Sequence, residues 1–239
     1  MGKDLGNVML PPKLILRSFF YSCLKDSLKK PKKKLFSTSE RNIASYLRSS
    51  LEIFKNFHRS LLFYQVDTEY NRVGIKSTSK KIDYKEGKKL RVIPDIIVHK
   101  RGETVKDGKD VNYLCIEIKK IKNFNGDLNS IKNREMRRRL EDDLEKLKFL
   151  RRNKNYKYIY GISVVISDPH TIFFKINDED FVRCSIQEVP AQKKKLLTEL
   201  VDRVIFITKD RDFSEKVTYQ AKVKEYEKEI DQIIESCLV

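Results

Sequence analysis

Two short apolar segments, each carrying one acidic residue, constrain the fold of this chain more than any other feature. They span residues 94–99 and 114–120, and both consist mainly of β-branched and aliphatic residues. Residues 102–110 between them are rich in glycine and charged side chains, a composition that is typical of a loop. The pattern therefore predicts two neighbouring strands that pair as a hairpin.

The second of these strands has one polar and one apolar face. Because side chains alternate along a strand, Glu117 and Lys119 lie on one face together with Cys115. The other face consists of Leu114, Ile116 and Ile118. A hairpin would bring Asp95 of the first strand close to Glu117 at one edge of the sheet. Two carboxylates repel each other there unless a cation lies between them, and a hard divalent metal is the natural occupant.

The order Pro-Asp, a variable gap and Glu-X-Lys resembles the PD-(D/E)XK nuclease superfamily. Further motifs extend the resemblance in chain order: Glu40 in the first turn of a helix, Glu-Tyr-Asn-Arg at residues 69–72, Asp-X-X-Lys-Leu at residues 143–147 and Tyr-X-Tyr-Gly at residues 158–161. The series spans about residues 39–167 and looks like a prokaryotic and phage branch of the superfamily.

The resemblance implies an α/β restriction-endonuclease-like core, in which helix, three strands, helix and strand form a mixed sheet flanked by helices. We place this core at residues 37–178, between a basic N-terminal helical extension at residues 1–36 and a C-terminal extension, packed on the core, at residues 179–239. Local patterns predict strands at residues 65–71, 156–167 and 171–176, a basic loop after the first of them, a polar insertion at residues 122–133, a helix at residues 191–202 and a short strand at residues 204–208.

A long helix is predicted after the polar insertion, with Met136, Leu140, Leu144, Leu147 and Leu150 on one face. Three arginines near its start, at positions 137, 138 and 139, each have an acid four residues further on. Ion pairs along the helix surface, including one between Arg139 and Asp143, explain these arginines as well as phosphate contacts do.

The resemblance also implies a separate role for each site residue. Asp95 and Glu117, with the backbone carbonyl of Ile118, would hold one or two Mg²⁺ or Mn²⁺ ions. Lys119 would orient or deprotonate the attacking water, with a pKa depressed by cationic neighbours, or would stabilise the phosphorane. Glu40 and Glu69 would add a metal ligand or orient bound water. The sequence pattern alone offers another explanation for each of these two residues. Glu40 would be stabilised by the helix dipole, and Glu69 would lie on the polar, outward face of an antiparallel strand.

The chain carries a formal net charge of +17, with a pI near 9.6, which indicates a polyanionic partner. DNA is the favoured partner and RNA the alternative, although a uniformly lysine-rich composition would also produce such a surplus. Candidates for nucleic-acid contact are Arg72, Lys80, Lys81, Lys88, Lys89 and Lys120.

These observations predict a metal-dependent endodeoxyribonuclease with little sequence specificity, acting in phage or host defence or in genome processing. Activation by a protein partner and a homodimeric state stay open. The alternative is a catalytically idle, or RNA-directed, nucleic-acid-binding module of the same fold. Scattered cysteines and histidines give no zinc-ligand spacing, and no apolar run has the length of a membrane span, so we expect a cytoplasmic protein without a membrane partner.

Overall fold

The structure is a computed structural model that describes residues 17–18, 39–55, 61, 64–68, 81–84, 88–91, 94–100, 112–153, 156–168, 171–185, 190–209, 221, 225–226 and 228–233. Its long helices are α1 (Glu40–Lys55), α2 (Arg134–Arg152) and α3 (Ala191–Lys209). Its strands are β1 (Gln65–Thr68), β2 (Lys81–Tyr84), β3 (Lys88–Arg91), β4 (Ile96–His99), β5 (Asn112–Lys120), β6 (Tyr160–Asp168), β7 (Thr171–Ile176) and β8 (Val182–Ser185).

Six of the strands form one mixed sheet in the order β1-β4-β5-β6-β7-β8, and β2 and β3 form a separate antiparallel pair. Neighbours in the large sheet are antiparallel except β5 and β6, which are parallel. Parallel strands need a long crossover between them, and α2 lies in this one. The predicted α/β class, with a mixed sheet flanked by helices, is confirmed. The β2–β3 pair corrects the prediction of a loop after the first strand.

The two faces of β5 bury different sets of side chains. Its even-numbered residues Leu114, Ile116 and Ile118 belong to the main core cluster. Helices α1 and α3 contribute Ile43, Leu47, Leu51, Leu197 and Leu200 to the same cluster. On the other face, Cys115 packs with Ile97 of β4, with Leu147 and Leu150 of α2, and with Tyr158 after the helix. The predicted alternation along β5 is therefore confirmed, and the polar residues of this strand lie on the side of α2.

Helix α2 packs closely against the sheet. It begins after Asn133, whose side-chain oxygen accepts a hydrogen bond from the backbone N–H of Met136 at 3.0 Å, which caps the helix. Below the helix, β6 has a glycine at position 161, where a Cβ atom would lie only 3.2 Å from Leu147 Cβ. The absence of a side chain there lets the buried face of α2 approach the strand, which brings its polar residues near β5.

The insertion at residues 122–133 is less polar in its packing than we predicted. Phe124 and Ile131 are buried and join a third apolar cluster with Leu140 of α2 and Phe173 of β7. The turn that allows this includes Gly126, whose φ of +99° is favoured by glycine. The insertion thus covers one end of the α2 face.

Two further elements differ from the sequence prediction. Strand β6 begins at Tyr160 rather than at residue 156, because the chain still turns after α2 and Lys157 has a φ of +44°. The strand predicted at residues 204–208 is wrong, since helix α3 continues through these residues to Lys209. Their β-branched composition favours a strand only weakly, and propagation of an existing helix overrides it. The segment after residue 179 also supplies β8 to the sheet.

Candidate active site

Asp95 and Glu117 lie side by side at the start of β4, where its pairing with β5 ends, and β5 itself continues to Lys120 beside β6. Ile96 pairs with Ile116 in the antiparallel ladder, so the preceding and following residues meet at the end of this pairing. The Asp95 carboxylate accepts a hydrogen bond from the backbone N–H of Ile118 at 2.7 Å. The two strands are interior ones, flanked by β1 and β6, so the carboxylates meet where the β4–β5 pairing ends and not at an outer edge of the sheet.

Helix α2 places two further charged side chains over Glu117 and Lys119. Lys119 Nζ lies 2.9 Å from Asp143 Oδ2, and Lys146 Nζ lies 3.2 Å from the other oxygen of Asp143. Lys146 Nζ is also 2.7 Å from Glu117 Oε1. Asp143 is thus bracketed by two ammonium groups, and Glu117 receives its closest cation from the helix and not from its own strand.

Glu40 approaches the site from the first turn of α1. One of its carboxylate oxygens accepts a hydrogen bond from the backbone N–H of Lys120 at 2.9 Å, and the other is 3.9 Å from Lys119 Nζ. Its side chain is 40% exposed, in contrast to 3% for Glu117. Glu40 therefore joins α1 to the end of β5 and borders the site on its solvent side.

We name these six residues the acid–lysine cluster: Glu40, Asp95, Glu117, Lys119, Asp143 and Lys146. Four carboxylates and two ammonium groups leave a net charge of −2 when all are ionised. This local excess of negative charge stands within a chain of net charge +17. A single divalent cation would balance it.

Burial disfavours the ionised form of both strand carboxylates. It raises the pKa of Glu117 well above its ordinary value, an effect that the charges of Asp143 and Asp95 increase and that of Lys146 opposes. It also raises the pKa of Asp95, although the hydrogen bond from Ile118 counteracts the shift. A cation bound between these two close carboxylates would stabilise the ionised form of both.

The pKa of Lys119 is shifted in the direction opposite to our prediction. Its partial burial disfavours the ammonium form, but the carboxylates of Asp143, Glu40 and Glu117 together outweigh this, so the pKa is raised. The expected depression of this pKa by cationic neighbours is therefore wrong, because the nearest charges are negative. Lys119 stays an ammonium group at neutral pH, which favours charge stabilisation over proton abstraction as its chemistry.

The cluster offers the ligands that Mg²⁺ prefers. Glu117 Oε1 and Asp143 Oδ2 are buried, and their nearest ammonium groups lie at 2.7 Å and 2.9 Å respectively. Among the described residues, no three His, Cys, Asp or Glu side chains converge into a complete metal site. Mg²⁺ requires less, because it is commonly held by one or two carboxylates, water and substrate phosphate. Asp95 and Glu117 fit that arrangement.

The structure brings four predicted site residues together, namely Asp95, Glu117, Lys119 and Glu40. Ile118 lies between two of them, with its side chain in the core. Lys120 is half-buried at the end of β5, and Lys81, Lys88 and Lys89 belong to the β2–β3 pair. Three predicted residues lie outside the described part of the chain: Glu69, Arg72 and Lys80.

Asp143 and Lys146 were not predicted as site residues. An ion pair with Asp143 on the helix surface was one of two explanations for Arg139, but Arg139 pairs with Glu135 and Asp143 is buried. A usable signal was present, since Asp143 recurs with Leu140, Leu147 and Leu150 at helical spacing. An acid within an apolar helix face requires a buried partner, and the nearest polar strand face is that of β5.

No model of a known protein family matches this chain, and neither a curated protein nor a solved structure does. Within the described ranges, no helix combines the length and the apolar character needed to cross a membrane.

Proposed function

We propose that this protein is a divalent-metal-dependent endonuclease that hydrolyses phosphodiester bonds of DNA, with a restriction-endonuclease-like core and a cytoplasmic site of action. The observation that supports this most directly is the acid–lysine cluster, which brings Asp95, Glu117 and Lys119 together where the pairing of β4 with β5 ends. The PD-(D/E)XK resemblance led to these three residues from the sequence alone. The surplus of positive charge along the chain supports a polyanionic substrate.

Each residue of the cluster would have a distinct task in hydrolysis. Asp95 and Glu117 would hold Mg²⁺ or Mn²⁺, and the bound ion would supply an activated water and neutralise phosphate charge. Lys119, as an ammonium group, would donate a hydrogen bond to the phosphoryl oxygen on which charge increases in the transition state. Asp143 holds that ammonium group in place at 2.9 Å. Glu40 would orient water at the exposed border of the cluster.

We expect the purified protein to nick or cut double-stranded DNA in the presence of Mg²⁺ or Mn²⁺ and to lose this activity in a chelator. The physical reason is that the carboxylates of Asp95 and Glu117, when ionised, repel a phosphate substrate unless a cation lies between them. Gel assays on supercoiled plasmid, on duplex oligonucleotides and on RNA of the same sequence measure the activity and its substrate class. No product from any of these substrates, with candidate partners added, would favour a catalytically idle binding module.

We also expect binding to depend on phosphate contacts and to show little sequence preference. The logarithm of the affinity for duplex DNA should then fall linearly with the logarithm of salt concentration, with a slope of about −0.9 per phosphate neutralised. Changing Lys81, Lys88 and Lys89 of the β2–β3 pair to glutamine should make this slope shallower. Fluorescence anisotropy on a labelled duplex in chelator measures it without cleavage.

The matched control is the same triple change at residues 193–195 of α3, which removes as many charges from another part of the chain. If both triple variants reduce the slope equally, the positive charge acts as a diffuse property of the whole chain, and the β2–β3 pair has no special part in binding.

A further inference from the structure

Lys146 is the charged residue of the cluster for which the proposed chemistry has no task. Its side chain is 19% exposed and lies on α2, directly over Glu117. Its ammonium group is 2.7 Å from Glu117 Oε1 and 3.2 Å from Asp143 Oδ1. A divalent cation bound by Glu117 would therefore have to replace this ammonium group beside the carboxylate.

Lys146 and Glu117 form a close ion pair. Their Nζ–Oε1 distance is 2.7 Å, and the same ammonium group is shared with Asp143 at 3.2 Å. An ammonium group is a compact charge with three rotatable donors on a flexible four-carbon stem, so it can compensate a buried charge without fixed geometry. It can also leave easily, because Asp143 remains as a second partner on the same helix.

We propose that Lys146 is a placeholder for the metal ion: its ammonium group neutralises Glu117 in the metal-free protein and gives up this carboxylate when a divalent cation binds. This rests on the proposed function, since it assumes that Glu117 is a metal ligand. Lys146 is then a positioning residue that keeps the empty site folded and limits metal affinity. Without it, the net charge of the acid–lysine cluster changes from −2 to −3.

The test measures metal binding directly, in the absence of nucleic acid. Isothermal titration of Mg²⁺ and Mn²⁺ into the Lys146→Gln variant should give a Kd at least about tenfold lower than that of the wild type, because a unit charge a few ångströms from a divalent ion repels it strongly even at an effective dielectric constant of about 20. Lys148→Gln, with the same charge change on the same helix, should leave the Kd within about threefold. An unchanged or higher Kd in Lys146→Gln would overturn the proposal.

A second measurement uses the wild-type protein and so does not depend on how the variant folds. Labelling of lysine amines, followed by mass spectrometry, should show that saturating Mg²⁺ increases the reactivity of Lys146 and leaves that of Lys148 unchanged. Unchanged reactivity of Lys146 would contradict its release. If the wild type binds neither metal, the proposed function fails as well; if it binds metal while both tests of Lys146 are negative, only the placeholder is wrong.

Discussion

Asp95→Asn and Glu117→Gln will each reduce DNA cleavage by about 10³-fold or more without lowering the melting temperature of the metal-free protein. Either change removes a proposed metal ligand and with it the stabilisation of charge that forms in the transition state. Both carboxyl groups have raised pKa values in the fold, chiefly through burial, so their neutral form is the one that folding favours. The Asn and Gln side chains resemble the neutral carboxyl groups in shape. At a pH above the raised pKa values, they also avoid the free-energy cost of burying an ionised carboxylate.

Single-turnover cleavage and thermal melting in chelator, performed on the same preparations, check both parts of this prediction. Glu40→Gln serves as the graded comparison, because its side chain is more exposed and is 3.9 Å from Lys119. We expect it to cost less activity than Asp95→Asn. Full activity of Asp95→Asn or of Glu117→Gln would remove both residues from the proposed mechanism.

Lys119→Met will reduce cleavage by about 10²- to 10³-fold, whereas Lys119→Arg will retain at least tenfold more activity than the methionine variant. The reason is the raised pKa of Lys119: burial opposes the ammonium form, but the carboxylates led by Asp143 outweigh burial. The group therefore carries its positive charge throughout the neutral pH range and would act by stabilising negative charge on the phosphoryl group. Arginine preserves that charge and cannot act as a base.

Cleavage rates of the two variants between pH 6 and pH 9 provide the measurement. A general base would be lost equally in both variants, and the wild-type rate would then follow the deprotonation of Lys119. Equal inactivity of the arginine and methionine variants, with unchanged melting temperatures, would point to proton abstraction and contradict the charge-stabilising role.

Strand β5 shows what could be predicted from the sequence. The two-residue period of a strand is a purely local rule, so it assigned Glu117 and Lys119 to the face opposite Leu114, Ile116 and Ile118 without knowledge of the partner elements. The antiparallel partner β4 followed from the short polar loop between two apolar segments. These two features sufficed to place Asp95 near Glu117.

Asp143 and Lys146 show what local rules could not supply. The rule for surface ion pairs offered Arg139 as a partner for Asp143, with phosphate contact as the equal alternative for Arg139, because the rule considers only residues four apart on one helix. Which strand lies under α2 depends on the parallel pairing of β5 with β6, a contact between distant parts of the chain. The same limit applies to the end of α3, where the β-branched composition of residues 204–208 was a weaker influence than continuation of the helix.

The two ligands that we propose for this protein, DNA and a divalent cation, would respond to its charges over different distances. At physiological salt, charges more than about 8 Å apart on the surface are largely screened from each other, so an approaching polyanion responds to whichever basic surface it meets first. A small cation that reaches the cluster would instead respond to a local charge of −2 when all six groups are ionised, in a largely buried setting where screening is weak. One chain can therefore attract both a polyanion and a cation, each over a different distance. Added salt should weaken the binding of DNA far more than the binding of the divalent cation.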